Sequence, residues 1–281
     1  MIFGTGNYYR RFRRFIDMSK VTAIVDNNPS KWGMLIDGMK ISSPDDINYG
    51  SVTYVLILVK DTEAIVKQLV SKGVSRECIK DHADIAMLFG IESSVISGDD
   101  KVAFDDWRQR NLERKKFFIL SNEMARSGVP IAMMNLCFIL QRMGYSMVYG
   151  ALDEGNLEEE LSLNGIDYIK NVAVFANDKA LQEFLASFDC FIFGSIAVSD
   201  EGSIFSKLDV PVIWWLHESL QKFYEDNPLP LKNNIYYYGG GHRVIKRFHE
   251  YYPDEVIGEW MYSIPSVSAV KKRISYPVTF A

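Results

Sequence analysis

Short apolar runs rich in β-branched and aromatic residues alternate along the chain with stretches of helical period. Residues 21–25, 52–59, 117–120, 145–149, 166–169, 190–193 and 210–216 are continuous apolar runs of strand length, the pattern of strands buried on both faces. Between them, residues 7–18, 62–72, 127–143, 156–163, 179–187 and 200–207 read as helices. Repeated strand–helix alternation predicts an α/β fold, with two Rossmann-like doubly wound parallel sheets joined by a helical connector. Residues 1–90 form the first unit, 91–115 the connector and 116–264 the second unit, and 265–281 open with the apolar run from Ile274 that reads as the first strand of a further domain.

Each unit begins with a strand leading into a loop and a helix. In the first, Met1-Ile2-Phe3 runs into Gly4-Thr5-Gly6, a helix follows, and residues 21–25 end in Asp26-Asn27. A glycine turn at a helix start lets a phosphate approach the backbone, and an acid about 20 residues on accepts a hydrogen bond from ribose. Gly4, Thr5, Gly6, Asp26 and Asn27 are therefore candidate nucleotide-binding residues, although Tyr9 stands where a third glycine belongs in a dinucleotide fingerprint. The unit reads as a nucleotide or nucleotide-sugar site, as an NAD(P) site, or as a scaffold that only docks against its neighbour. The arginines of residues 10–14 read as a solvated helix face, and residues 104–116 as a solvated connecting helix anchored by Phe104, Trp107 and Leu112.

Composition narrows the classes. Apolar residues make up 48% of the 281 residues and charged residues 24%, which excludes a disordered chain. The formal charge of −5 gives no general attraction to nucleic acid, so no nucleic-acid partner is expected. Three cysteines far apart provide no disulfide framework, which points to the cytoplasm, and no His/Cys spacing suggests a metal.

The first 80 residues resemble the small Rossmann-like domain that precedes sugar-modifying enzymes, including the nucleotide-sugar-binding domain of bacterial sugar acetyltransferases. The matching segments are Ile2-Phe3-Gly4-Thr5-Gly6, Val25-Asp26-Asn27-Asn28-Pro29, Lys31-Trp32-Gly33 and Asp37-Gly38, followed by Ser43-Pro44-Asp45-Asp46. The second unit carries Phe118-Ile119-Leu120-Ser121-Asn122-Glu123, Ser127-Gly128-Val129-Pro130-Ile131-Ala132 and Asp153-Glu154-Gly155-Asn156-Leu157 before Gly165-Ile166, then Val212-Ile213-Trp214-Trp215-Leu216-His217-Glu218 and Tyr262-Ser263-Ile264-Pro265. In these segments it resembles the N-terminal, acceptor-side half of family-four glycosyltransferases of the GT-B fold.

The second resemblance implies a retaining sugar transfer from a nucleotide-diphosphate donor to a glycan or lipid-linked acceptor, in cell-surface polysaccharide synthesis at the inner face of the plasma membrane. It implies that Ser127, Gly128 and Val129 face the donor diphosphate, that His217 and Glu218 act beside the reacting sugar, and that Glu123 contacts the acceptor. No cofactor is implied. It also implies a C-terminal donor-binding domain, of which this chain holds the opening strand, so the chain alone is expected to be inactive in transfer. A binding or sensor module without catalysis is the competing class, with an NAD(P)-dependent oxidoreductase third. Peripheral membrane contact and homodimerisation stay open, as do the donor sugar and the acceptor.

Overall fold

The computed structural model describes residues 1–201 and 209–261. Most of the helix expected over residues 200–207, the Tyr262-Ser263-Ile264-Pro265 segment and the terminal run from Ile274 lie outside the described residues.

The first sheet comprises β1 (Ile2–Phe3), β2 (Ile24–Val25), β3 (Leu35–Ile36), β4 (Met39–Ser42), β5 (Val55–Ile57) and β6 (Ile79–Lys80), in the order β3-β4-β2-β1-β5-β6. All neighbours are parallel except β3 and β4, which are joined through Asp37-Gly38, both at positive φ, as a tight hairpin turn requires. The strands are shorter than the apolar runs suggested, and β1 ends just before Gly4. Gly4 has φ +100, and a Cβ there would lie 2.9 Å from the Leu58 carbonyl oxygen and 2.5 Å from Val59 Cγ1. Helix α1 (Asn7–Phe12) tightens into a 3-10 turn over Arg13–Phe15, where the Arg13 guanidinium donates to the Ile16 carbonyl and the chain turns extended. Helices α2 (Glu63–Ser71) and α3 (Ile85–Phe89) follow.

The connecting segment is more than a solvated helix. β7 (Val95–Ser97) and β8 (Asp100–Val102) form a hairpin about Gly98, and α4 (Phe104–Arg110) buries Phe104 and Trp107. Leu112, read as an anchor, is 64% exposed, because the helix has ended two residues before it.

The second sheet adds β9 (Lys116–Ser121), α5 (Gly128–Arg142), β10 (Ser146–Ala151), α6 (Glu158–Leu163), β11 (Asp167–Ile169), α7 (Lys179–Leu185) and β12 (Cys190–Gly194). It continues with β13 (Val212–Leu216), α8 (Gln221–Asp226), β14 (Ile235–Gly239), α9 (His242–Tyr251) and β15 (Ile257–Glu259). Its order is β15-β14-β13-β12-β9-β10-β11-β7-β8, parallel from β15 to β11 and antiparallel at the β7–β8 edge. Alternate residues of the central strands feed two separate cores: Phe118, Phe191, Phe193 and Trp214 on one face, Ile119, Tyr149, Ile192 and Trp215 on the other. Trp107 Nε1 donates to Asp167 at 2.7 Å, tying α4 to the β11 edge.

Two of the arginines expected on a solvated face instead join the units. Arg11 Nε lies 2.8 Å from the Asp153 carboxylate, and Arg14 reaches Glu154 at 3.2 Å and Asn171 Oδ1 at 2.9 Å. Lys60 donates to the Asp226 carbonyl at the end of α8, at 2.5 Å. The 3-10 turn Val172–Phe175 of the second unit packs against α3 and the turn His82–Asp84.

Asp26 is the polar centre of the first unit. Its carboxylate accepts Thr5 N–H (2.9 Å), the Thr5 hydroxyl, Lys31 Nζ (2.7 Å) and Asn28 N–H (2.9 Å), while its carbonyl accepts Trp32 Nε1–H (2.7 Å). Burial pushes this carboxyl up, and the bonds from Lys31, Thr5 and Asn28 outweigh burial and hold it below the ordinary carboxylate value. The stabilisation is therefore present above that ordinary value, about pH 4, and is lost as pH falls through the lower folded value. Asp26→Asn is expected to cost about 1–3 kcal/mol at pH 7 in urea unfolding, with the gap to the parent chain narrowing below about pH 4.

Candidate functional site

The chain leaves β9 for β10 and β11 on one side, then returns to add β12, β13, β14 and β15 on the other. Loops from the carboxyl ends of β9 and β12 therefore diverge and leave a crevice between them, the place where open parallel sheets bind ligands. Ser121 and Gly194 are direct neighbours across this point, and Gly194 pairs in turn with Trp215. His217, two residues beyond Trp215, and the loop leading from Ser121 to Gly128 thus share one rim, two strand spacings or about 10 Å apart in the sheet direction.

On the β9 side, Asn122 to Ser127 form the loop and Gly128 opens α5. The Ser127 hydroxyl donates to Glu123 Oε1 at 3.1 Å, which brings two of the candidate residues together. Gly128 is exposed, and a Cβ built on it meets no atom within 4 Å, so its backbone is open to an approaching group. Val129 is half-buried and packs on the α5-side core.

Two residues given no role in the sequence analysis fix this loop. The Tyr149 hydroxyl, buried under it, bonds the Glu123 and Pro130 carbonyls, each at 3.4 Å, and burial pushes the phenol well above its ordinary value. Asn156 Oδ1 accepts Arg126 N–H at 3.0 Å. Gly155 allows the loop after β10 to lie on the loop after β9, since a Cβ there would come within 2.3 Å of the Met124 backbone. A tyrosine in an otherwise apolar strand is the sequence signal for the first of these; nothing in the spacing marks the second.

On the β13 side, the half-buried His217 ring packs on Trp215, with centroids 4.6 Å apart, and Trp215 stacks on Trp260 at 4.7 Å and 17°. The Trp215 indole N–H donates to the Trp260 carbonyl at 2.8 Å, which holds this stack in place. Burial pulls the His217 imidazole down to about 4, so at neutral pH it is uncharged, with one N–H to donate and one ring nitrogen to accept. The Glu218 carboxylate is engaged by backbone and hydroxyl donors, not by the imidazole ring. It accepts the Ser195 hydroxyl, Ile196 N–H (3.0 Å) and His217 N–H (3.2 Å), and so bridges the ends of β12 and β13.

The candidate residues of the first unit form a separate cluster. Gly4 and Thr5 are tied to β5 and Asp26, Gly6 stands at the N-terminus of α1, and Asn27 exchanges two amide hydrogen bonds with Gln68 at 2.9 and 3.0 Å. The Asp26 carboxylate expected to meet ribose is thus committed to four internal donors. Gly239-Gly240-Gly241 ends β14 and leads into α9, on the same rim as His217. Among the described residues, no group of His, Cys, Asp and Glu is placed to hold a metal ion, and no helix is long and apolar enough to cross a membrane.

In the window between pH 6.5 and pH 4 the unfolded chain takes up a proton that the folded His217 refuses, so stability falls as pH drops through that window. His217→Gln is expected to remove this slope, about 2–3 kcal/mol between pH 7 and pH 4.5, in urea unfolding series at those two pH values.

Residues 1–80 match the family model described as C2185-like, N-terminal. No curated protein matches the chain. Among solved structures, an α-glucosyltransferase in complex with UDP and a 13-mer DNA containing an HMU base is similar over 54% of this chain and 43% of its own, at 8% identity and TM-score 0.37. The α-glucosyltransferase with UDP-glucose and DNA containing an abasic site gives 53%, 43%, 8% and 0.37. UDP-N-acetylglucosamine 2-epimerase from Rickettsia bellii is similar over 75% of this chain and 54% of its own, at 13% identity and TM-score 0.23. The chain thus spans less than half of these glucosyltransferases and about half of the epimerase. Residues 113–233, which carry Glu123, Ser127, Gly128, His217 and Glu218, match the model of Glycosyl-transferase family 4.

Proposed function

We propose that the second unit is the acceptor-side part of a retaining GT-B glycosyltransferase that moves a sugar from a nucleotide-diphosphate donor to a glycan or lipid-linked acceptor. The observation that carries this reading is the match of residues 113–233 to Glycosyl-transferase family 4, with Ser127-Gly128 and His217-Glu218 on one rim of the switch point. In this reading the open backbone at Gly128 and the flanking Ser127 and Val129 receive the donor diphosphate at the start of the 15-residue helix α5, where N–H groups and the helix dipole favour an anion. The uncharged His217 donates a hydrogen bond to a sugar hydroxyl, and the fixed Glu218 carboxylate accepts one. Glu123, held by Ser127 at the mouth of the loop, meets the acceptor. The setting is cell-surface polysaccharide synthesis on the cytoplasmic face of the membrane, where lipid-linked acceptors are exposed.

In this reading the first unit, joined to the second through Arg11, Arg14 and Lys60, is a docked companion of this site rather than a redox domain, since Asp26 serves the fold. Gly128→Val tests the donor assignment without disturbing packing, because the added side chain enters open space. Titration with UDP, GDP and dTDP sugars followed by calorimetry is expected to show binding that Gly128→Val weakens at least about tenfold, about 1.4 kcal/mol, with thermal unfolding unchanged. Equal affinities in the two proteins would remove the loop from the donor site, and the absence of binding to any nucleotide sugar would count against the whole reading.

A further inference from the structure

At the end of β12, Ser195 has φ +129, a conformation that side chains of L-residues rarely adopt. The other described non-glycine residues at positive φ, Asp37 and Asn171, sit at 48° and 57°, the ordinary left-handed values that Asp and Asn tolerate. Ser195 lies far outside that region and is only 2% exposed. Glycine would adopt this backbone freely, and Gly194 is already its neighbour, so a serine here has to be explained by its hydroxyl.

The contacts supply that explanation. The Ser195 hydroxyl donates to Glu218 Oε1 and accepts Ala197 N–H at 3.0 Å, while its carbonyl accepts Trp214 Nε1–H at 2.8 Å. The same turn of backbone aims Ile196 N–H at Glu218 Oε2, 3.0 Å away, beside His217 N–H at 3.2 Å. Three donors from two strand ends thus converge on one carboxylate, which reaches them from the β13 end across to β12. The buried Trp214 indole, itself fully covered, keeps the Ser195 peptide from relaxing.

We propose that Ser195 is a positioning residue: its strained backbone and its hydroxyl fix the Glu218 carboxylate at the switch-point crevice. What that carboxylate then holds rests on the glycosyltransferase reading above, in which it accepts a hydrogen bond from a sugar hydroxyl. An unheld glutamate at a strand end would sample several rotamers, and a fixed acceptor loses less entropy on meeting a hydroxyl.

Ser195→Gly and Ser195→Ala both delete the hydroxyl, but only glycine relieves the backbone, so the pair separates strain from bonding. In thermal unfolding of the full chain, Ser195→Gly is expected to melt above Ser195→Ala. Crystal structures of both variants are expected to show the Glu218 carboxylate displaced from the Ile196 and His217 amides. With a nucleotide sugar that the parent chain turns over, both variants are expected to lose about 10- to 100-fold in kcat with donor KM changed less than about twofold. A glutamate still seated on both amides in Ser195→Gly, a Ser195→Gly that melts no higher than Ser195→Ala, or a Ser195→Gly with the parent kcat would each overturn the proposal. If the parent chain turns over no nucleotide sugar, as expected of an acceptor-side half alone, the melting and crystallographic comparisons decide the positioning role.

Discussion

The reversal of strand order beside β9 is the constraint on which the rest of the molecule depends. β10 and β12 flank the same strand, yet the chain reaches them by connections that leave in opposite directions, so their loops cannot pack on each other at the carboxyl rim. A crevice at this rim is what the topology alone leads one to expect, whatever side chains line it. Residue identity enters in what holds the two sides still: Tyr149 and Gly155 under the β9 loop, Ser195 and Glu218 between β12 and β13, and the Trp215–Trp260 stack behind His217. All of these fix loops that carry no regular hydrogen-bond ladder of their own.

The α/β class and the rim position of Ser127, Gly128, His217 and Glu218 were legible because parallel strands buried on both faces read as unbroken apolar runs, and the first polar residues after such a run mark the strand's carboxyl end. Edge elements were not legible. The β3 and β7–β8 segments are two or three residues long and half exposed, and among the described residues β15 has a neighbour on one side alone, so none carries a continuous apolar signature. β14, Ile-Tyr-Tyr-Tyr-Gly, was hidden for another reason, its tyrosines being as compatible with a loop as with a strand. Tertiary partners also decided what spacing could not. Asp26 stands where an acid for ribose would stand, and only the folded chain shows Thr5, Lys31 and Asn28 gathered on it. Arg11 and Arg14 look like solvent-facing charges until the loop after β10 is brought against them.

That loop links the two units to the candidate site. Asp153 and Glu154 bind the arginines of the first unit, and the next residue, Gly155, lies on the Met124 backbone within the loop that leads to Gly128. Half-exposed ion pairs of this kind contribute little stability each, but here they add to the apolar packing of Val172–Phe175 on α3 and to the Lys60 contact at α8. The first unit is therefore attached at several points, one of them a single residue away from a segment that shapes the crevice.

The burial of His217 carries a consequence for what the crevice can discriminate. A cationic imidazole attracts a phosphate as strongly as it orders a hydroxyl, whereas a ring kept neutral by burial has little pull on a dianion and keeps its directional donor and acceptor. In the proposed reading the rim is thereby divided by chemistry: anionic groups would find their complement at the helix start near Gly128, and the uncharged, hydroxyl-rich portion of a ligand its own at the opposite strand end. A molecule that is half phosphate and half polyol would then seat itself in one orientation and not in the reverse.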